Sequence, residues 1–287
     1  MDVTFSIESA AGIIPLRSTP GEVGPYRLGK GTTGLGLVPE VVQTAPSPGG
    51  GAVLRSRRPG VREGTLVLGA SGATRTATEA LMRNIARVIR TDAAPQLVAV
   101  IPGDGTYRLP FIRIAGGEDA YDDFGDEGIE WSLEVQALQP YWVRDKPVSF
   151  YFGQDASTAR GLLPDLAELP VMASGALGDI TVTNPGDVAA PMSWRFTGEG
   201  GPVTVNVGGR GFTIPHMLAA GEIVQIDRAK TLWKVTDQDG ANAYSKLGPA
   251  PKFPLATAGT VTGNVLMESA TGGTVAGWFN PLRELVH

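Results

Sequence analysis

The chain of 287 residues carries a net charge of −5, is 42% hydrophobic and 18% charged, and contains no cysteine and two histidines. That balance belongs to a globular chain with room for sizeable cores, without the basic excess of a tight nucleic-acid binder. Disulfides, thiolate metal sites, cysteine nucleophiles and multi-histidine metal centres are excluded.

Met1 to Ser6 has neither a basic nor an apolar leader region, so no secretory signal is expected. No apolar run approaches the ~20 residues of a spanning helix, so no membrane insertion is expected. Val3, Phe5 and Ile7 alternate with polar residues and predict a strand. A glycine-rich loop covers 21–36. Extended pieces at 41–44, 52–58 and 65–68 are separated by Pro46-Ser47-Pro48-Gly49-Gly50-Gly51 and Pro59-Gly60, which predicts a hairpin arm over 41–68.

One amphipathic helix is predicted over 76–90. Thr76 and Glu79 have capping-box spacing, and Ala77, Leu81, Ile85, Val88 and Ile89 share a face opposite Glu79, Arg83, Arg87 and Arg90. Pro95 bars continuation. Strands follow at 96–101, 106–108, 111–115 and, by strict alternation of Ile129, Trp131, Leu133, Val135 and Ala137, at 129–137. The first domain is expected to end by 148, a linker to cover 149–174, and a β-sandwich of short, turn-separated strands to fill 175–287.

Chemical motifs are few. Gly29-Lys30-Gly31-Thr32-Thr33-Gly34 has the letters of a dinucleotide fingerprint, but Leu35-Gly36-Leu37-Val38-Pro39 cannot open the helix that fingerprint needs, so a flexible loop is expected. Glu118, Asp119, Asp122, Asp123, Asp126 and Glu127 crowd one segment without EF-hand spacing; they read as a solvated loop, with a cation site or a contact surface as alternatives. Asp237-Gln238-Asp239-Gly240 reads as a hairpin turn. His216 is the one internal histidine and has no evident nucleophile or orienting partner. No serine sits in a Gly-x-Ser-x-Gly elbow, and no carboxylate pair stands out. Arg55, Arg57, Arg58 and Arg62 form the dense basic cluster, with protein contact, a solvated strand edge and nucleic acid as its readings. Trp194, Trp233 and Trp278 are candidates for a sugar platform, depending on their burial.

Several segments together resemble the distal tail (Dit) proteins of phages with long, flexible tails. They are the arm with Arg62-Glu63-Gly64-Thr65-Leu66-Val67-Leu68, the helix after it, and Ile101-Pro102-Gly103-Asp104-Gly105-Thr106-Tyr107-Arg108. Leu133-Glu134-Val135-Gln136-Ala137-Leu138-Gln139-Pro140-Tyr141-Trp142 closes the first domain, and Ile180-Thr181-Val182-Thr183-Asn184-Pro185-Gly186, Leu218-Ala219-Ala220-Gly221-Glu222 and Gly277-Trp278-Phe279-Asn280-Pro281 fall in the second. The resemblance implies a mainly β chain with one amphipathic helix, an N-terminal ring-forming belt domain and a C-terminal galectin-like β-sandwich. It also implies a homo-hexameric ring at the distal end of the tail in the virion, assembled in the host cytoplasm. Its partners would be the major tail tube protein, the tape-measure protein and tip or baseplate proteins. DNA would transit the lumen without specific binding, and there would be no enzymatic activity and no cofactor. A carbohydrate-binding adhesion module and, behind it, a cell-wall hydrolase are the competing readings.

Overall fold

The computed structural model describes residues 3–17, 24–117, 128–153, 175–229, 232–268 and 272–286. The chain divides into two compact units, Met1–Lys146 with Arg283–His287, and Pro147–Leu282. Strands are numbered in chain order.

The first unit contains a six-stranded sheet ordered β2 (Gly12–Leu16), β1 (Thr4–Ser9), β7 (Gln96–Ile101), β8 (Gly105–Pro110), β11 (Trp142–Arg144) and β23 (Leu282–Arg283). A four-stranded sheet is ordered β3 (Tyr26–Leu28), β6 (Arg62–Ala70), β10 (Ile129–Ala137) and β9 (Ile112–Gly116). A two-stranded hairpin joins β4 (Glu40–Pro46) to β5 (Ala52–Pro59). The inward residues of β10, Leu133, Val135 and Ala137, are buried, as their alternation predicts. They share a core with Ile7, Leu66, Leu68, Leu97 and Ile85. Each such side chain contributes roughly 1.5–3 kcal/mol on burial.

Helix α1 (Arg75–Val88) is the one α-helix among the described residues. Its cap is Thr74, whose hydroxyl accepts from the Ala77 N–H at 3.2 Å, so the expected capping box at Thr76 lies two residues too far along the chain. The buried stripe is Thr78, Met82, Ile85 and Val88; Leu81, expected at its centre, lies on its flank, only partly buried. Thr78 is buried because its hydroxyl accepts from the Gly72 N–H at 2.9 Å, a bond that ties the helix to the chain entering it.

The second unit has a five-stranded sheet ordered β12 (Val148–Gly153), β22 (Thr274–Phe279), β15 (Ser193–Thr197), β18 (Ile223–Ala229) and β19 (Leu232–Asp237). A four-stranded sheet is ordered β13 (Gly175–Asn184), β21 (Gly259–Glu268), β16 (Val203–Val207) and β17 (Arg210–Ile214), and β14 (Ala190–Pro191) pairs with β20 (Leu255–Ala256). The larger sheets face one another through aromatic rings. Trp194 and Phe196 of β15 lie 6.2 and 5.8 Å from Phe212 of β17, both edge-on. This is the sandwich that the spacing of turns predicts.

Two boundary expectations need correction. Residues 149–153, expected to open the linker, belong with Val148 to β12, paired along its length with β22; Phe150 turns inward to meet Trp194 at 5.3 Å. The last five residues, expected to end the sandwich, belong to the first unit, where Val286 is 2% exposed in the core. Residues 154–174 lie outside the described residues.

Motifs of the second unit are turn chemistry. Buried Asn184 donates to the carbonyls of Val188 and Ala256 at 3.0 and 2.8 Å and accepts from the Gly186 N–H at 2.9 Å. Glu222 accepts from the Ala219 N–H and pairs with Lys246 at 2.7 Å, which together hold its carboxyl below the usual range. Asp237 accepts from the N–H groups of Asp239 and Ala241, with Gly240 at φ +78°. This turn leads into a short 3-10 helix rather than a second sheet strand.

Candidate assembly interface

The β4–β5 hairpin is the most exposed regular element of the first unit. Every residue of β5 is exposed, and every residue of β4 but Ala45. The sequence explains why it forms. Valines and threonine favour extended backbone, and the Ser47 N–H bonds to Gly51 O at 3.1 Å across a tip where Gly50 and Gly51 take φ of +91° and +77°. A bulge after Gln43 leaves Arg55 as the residue that the register skips.

The hairpin exposes apolar and basic groups together. Val41, Val42, Val53 and Leu54 are 40–58% exposed, an arrangement that a lone two-stranded ribbon in water does not favour. Arg57 pairs with Glu40 across the strands, while Arg55 and Arg58 have no partner among the described residues. At the hairpin root, Val38, Arg57, Arg58, Pro59, Tyr141 and Glu284 line a cleft of about 290 Å³.

Arg62 is not part of this surface. It is 3% exposed, and its guanidinium donates to four carbonyls: Pro140 at 2.8 Å, Gly34 at 2.9 Å, Gly36 at 2.6 Å and Glu284 at 3.0 Å. Burial lowers its pKa, and bonds to neutral carbonyls satisfy the donors that burial strips of water. The predicted arm over 41–68 is therefore too long. Residues 62–70 are the central strand β6, with Leu66 and Leu68 1% and 0% exposed.

The glycine-rich segment also has a structural reading. Residues 29–33 lie along β6, with Gly29 N–H bonded to Val67 O and Thr33 N–H to Thr65 O at 2.7 and 2.8 Å. A Cβ at Gly34 would come within 2.6 Å of Glu63 O, and one at Gly64 within 2.5 Å of Thr33 O, so both glycines serve close backbone approach. The segment expected as a flexible loop is thus bonded to a sheet strand.

The outer face of the β3–β6–β10–β9 sheet is polar. Glu130, Ser132, Glu134 and Gln136 alternate outward from β10; Gln136 donates to Glu63 at 3.1 Å and Glu130 pairs with Arg27 at 2.8 Å. The sheet ends on β9, where Ile114 is 54% exposed.

Among the described residues no histidine, aspartate and glutamate group is placed to hold a metal ion. No helix there is long and apolar enough to cross a membrane. The acidic run from Glu118 to Glu127 lies outside the described residues. His216 is part-exposed between β17 and β18. Of the candidate tryptophans, Trp194 is fully buried, while Trp233, tilted against Phe253 at 4.6 Å, and Trp278 are part-exposed.

No family model matches the sequence, and no curated protein matches it either. Among solved structures, the Dit protein of phage SPP1, described as a paradigm of the hub adsorption apparatus in phages infecting Gram-positive bacteria, aligns over 96% of this chain and 98% of its own, with a TM-score of 0.61 at 10% identity. The fold is that of a Dit protein. The baseplate of phage P2 in its activated conformation, with Ca or with Sr, aligns over 100% of both chains at 10% identity, with TM-scores of 0.48 and 0.47. The mainly β class and the single helix agree with what the sequence predicts, whereas the buried, structural role of Arg62 does not follow from grouping it with Arg55, Arg57 and Arg58. The signal was available: Arg62 opens the alternating Leu66–Leu68 strand rather than closing the Arg55–Arg58 run.

Proposed function

We propose that the chain is a structural, non-enzymatic hub subunit of a long-tailed phage. Six copies form a ring at the distal end of the tail, joining the tube and tape-measure proteins to the tip or baseplate proteins. The observation that carries this reading is the end-to-end match to the SPP1 Dit fold, combined with a hairpin that exposes four large apolar side chains.

The first unit is the ring-forming belt in this reading, and the hairpin is its arm. Exposed strands with unpaired backbone and apolar side chains gain by pairing with a neighbour, and head-to-tail pairing around a rotation axis closes into a ring. Arg55, Arg57 and Arg58 then meet carboxylates or backbone carbonyls of the adjacent copy. The polar outer face bearing Glu63, Glu130 and Glu134 suits the lumen, since carboxylates repel phosphate and let DNA slide without being held. The sandwich of the second unit serves as a galectin-like platform for tip proteins, and assembly takes place in the host cytoplasm before the protein enters the virion.

The test is the mass of the purified chain in solution, alone and with its tube protein. A hexamer supports the reading. A variant with residues 41–58 replaced by a two-glycine link is expected to remain folded and to lose the hexamer. A hexamer that forms equally well without the hairpin overturns the role assigned to the arm, and a chain that forms no ring even with its tube protein overturns the hub.

A further inference from the structure

The outer face of the five-stranded sheet carries an aromatic ring in an unusual setting. Phe150 and Phe152 of β12 turn inward, so Tyr151 turns out, and it is 64% exposed. A Cβ at Gly153 would lie 2.8 Å from the Tyr151 hydroxyl oxygen and 2.9–3.0 Å from its Cε1 and Cζ. The hydroxyl end of the ring therefore lies back along its own strand, close to Gly153, while most of the side chain is open to solvent.

The register fixes what stands beside it. Tyr151 is opposite Ala276, which is opposite Arg195; Gly153 is opposite Thr274, which is opposite Thr197. With strands ~4.8 Å apart, Arg195 stands about 10 Å from Tyr151 across a floor made by the Ala276 methyl. Arg195 is exposed, and neither its guanidinium nor the hydroxyls of Thr197 and Thr274 have a hydrogen-bond partner among the described residues.

We propose that this face binds a neutral saccharide, one ring stacked on Tyr151 and its hydroxyls bonded by Arg195, Thr197 and Thr274. The chemistry favours a sugar over a protein. A protein interface is centred on clustered large apolar side chains, whereas the outward face of β12, β22 and β15 offers one exposed ring, Tyr151, and one part-exposed ring, Trp278. A sugar instead needs one flat aromatic face, a shallow floor and several unpaired polar groups around it. The inference goes beyond the hub reading, which uses the second unit as a platform for tip proteins and assigns no small ligand to this face.

The test is calorimetric titration of the full-length chain with chitotriose, lactose, maltotriose and mannotriose. At least one is expected to bind. Tyr151→Ala should abolish that binding, and Arg195→Ala should weaken it about tenfold or more. Gly153→Ala, which lifts the ring without removing it, should also weaken binding; an unchanged thermal transition in that variant excludes misfolding. Binding of none of the four, or binding indifferent to all three substitutions, overturns the proposal. Capture of a tail-tip protein that depends on Tyr151, without saccharide binding, also overturns it and assigns the face to protein. The mass of the ring, measured on the same samples, reads the hub separately.

Discussion

Arg62 donates to the carbonyl of Glu284 at 3.0 Å, across 222 positions of sequence. The same guanidinium holds Pro140, Gly34 and Gly36, so one side chain ties the glycine-rich segment, the end of the first unit's continuous chain and the returning C-terminus. The second unit is thereby an insertion between Lys146 and Arg283.

Replacing Arg62 by alanine orphans four carbonyls. Hydrogen bonds to a charged donor contribute ~1.5–3 kcal/mol each, without full additivity, so Arg62→Ala should destabilise the first unit by roughly 3 kcal/mol or more. Chemical denaturation followed at Trp142 checks this. Arg55→Ala and Arg58→Ala should leave the same transition unmoved, because their side chains are exposed and unpaired among the described residues. Equal effects from all three would place Arg62 back with the basic surface.

The helix gives a second test. Ile85 is 0% exposed in the middle of the buried stripe, whereas Leu81 is only partly buried beside it. Ile85→Ala should cost about 2–5 kcal/mol and Leu81→Ala distinctly less. The reverse order in a thermal melt would mean that the helix presents its other flank.

Residues whose role depends on periodicity were legible. The alternation of Ile129 to Ala137 gave both the strand and its inward face, and the Pro/Gly cluster at 46–51 gave the hairpin tip. The helix was legible but its phase was not: Thr78 is buried through a hydrogen bond to Gly72, which a hydropathy pattern does not contain. The role of Arg62 is hidden from the hydropathy pattern for the same reason, since its partners are backbone carbonyls at distances of 26 to 222 residues. The Tyr151 platform depends on the cross-strand register of β12, in a segment that reads as linker because only its pairing with Thr274–Phe279 makes it a strand.

Tyr107 supplies a pH test. It is fully buried and donates to Asp104 at 2.9 Å; burial foremost, then that bond, pushes its pKa up to about 12. Its folded pKa is raised, so its contribution is complete below the unfolded value near 10 and is lost as pH climbs through about 12. Denaturant titrations across that window should show stability falling in the wild type and a shallower fall in Tyr107→Phe. Parallel curves would remove Tyr107 from the account.

The most direct measurement is an averaged image of the assembled tail end, with the first unit fitted into it. The account predicts six copies around the axis, the Glu63–Glu134 face toward the lumen and the 40–59 hairpin of each copy lying on its neighbour. A particle in which this chain is absent from the axis, or in which the hairpins point into solvent and touch no adjacent copy, would contradict it.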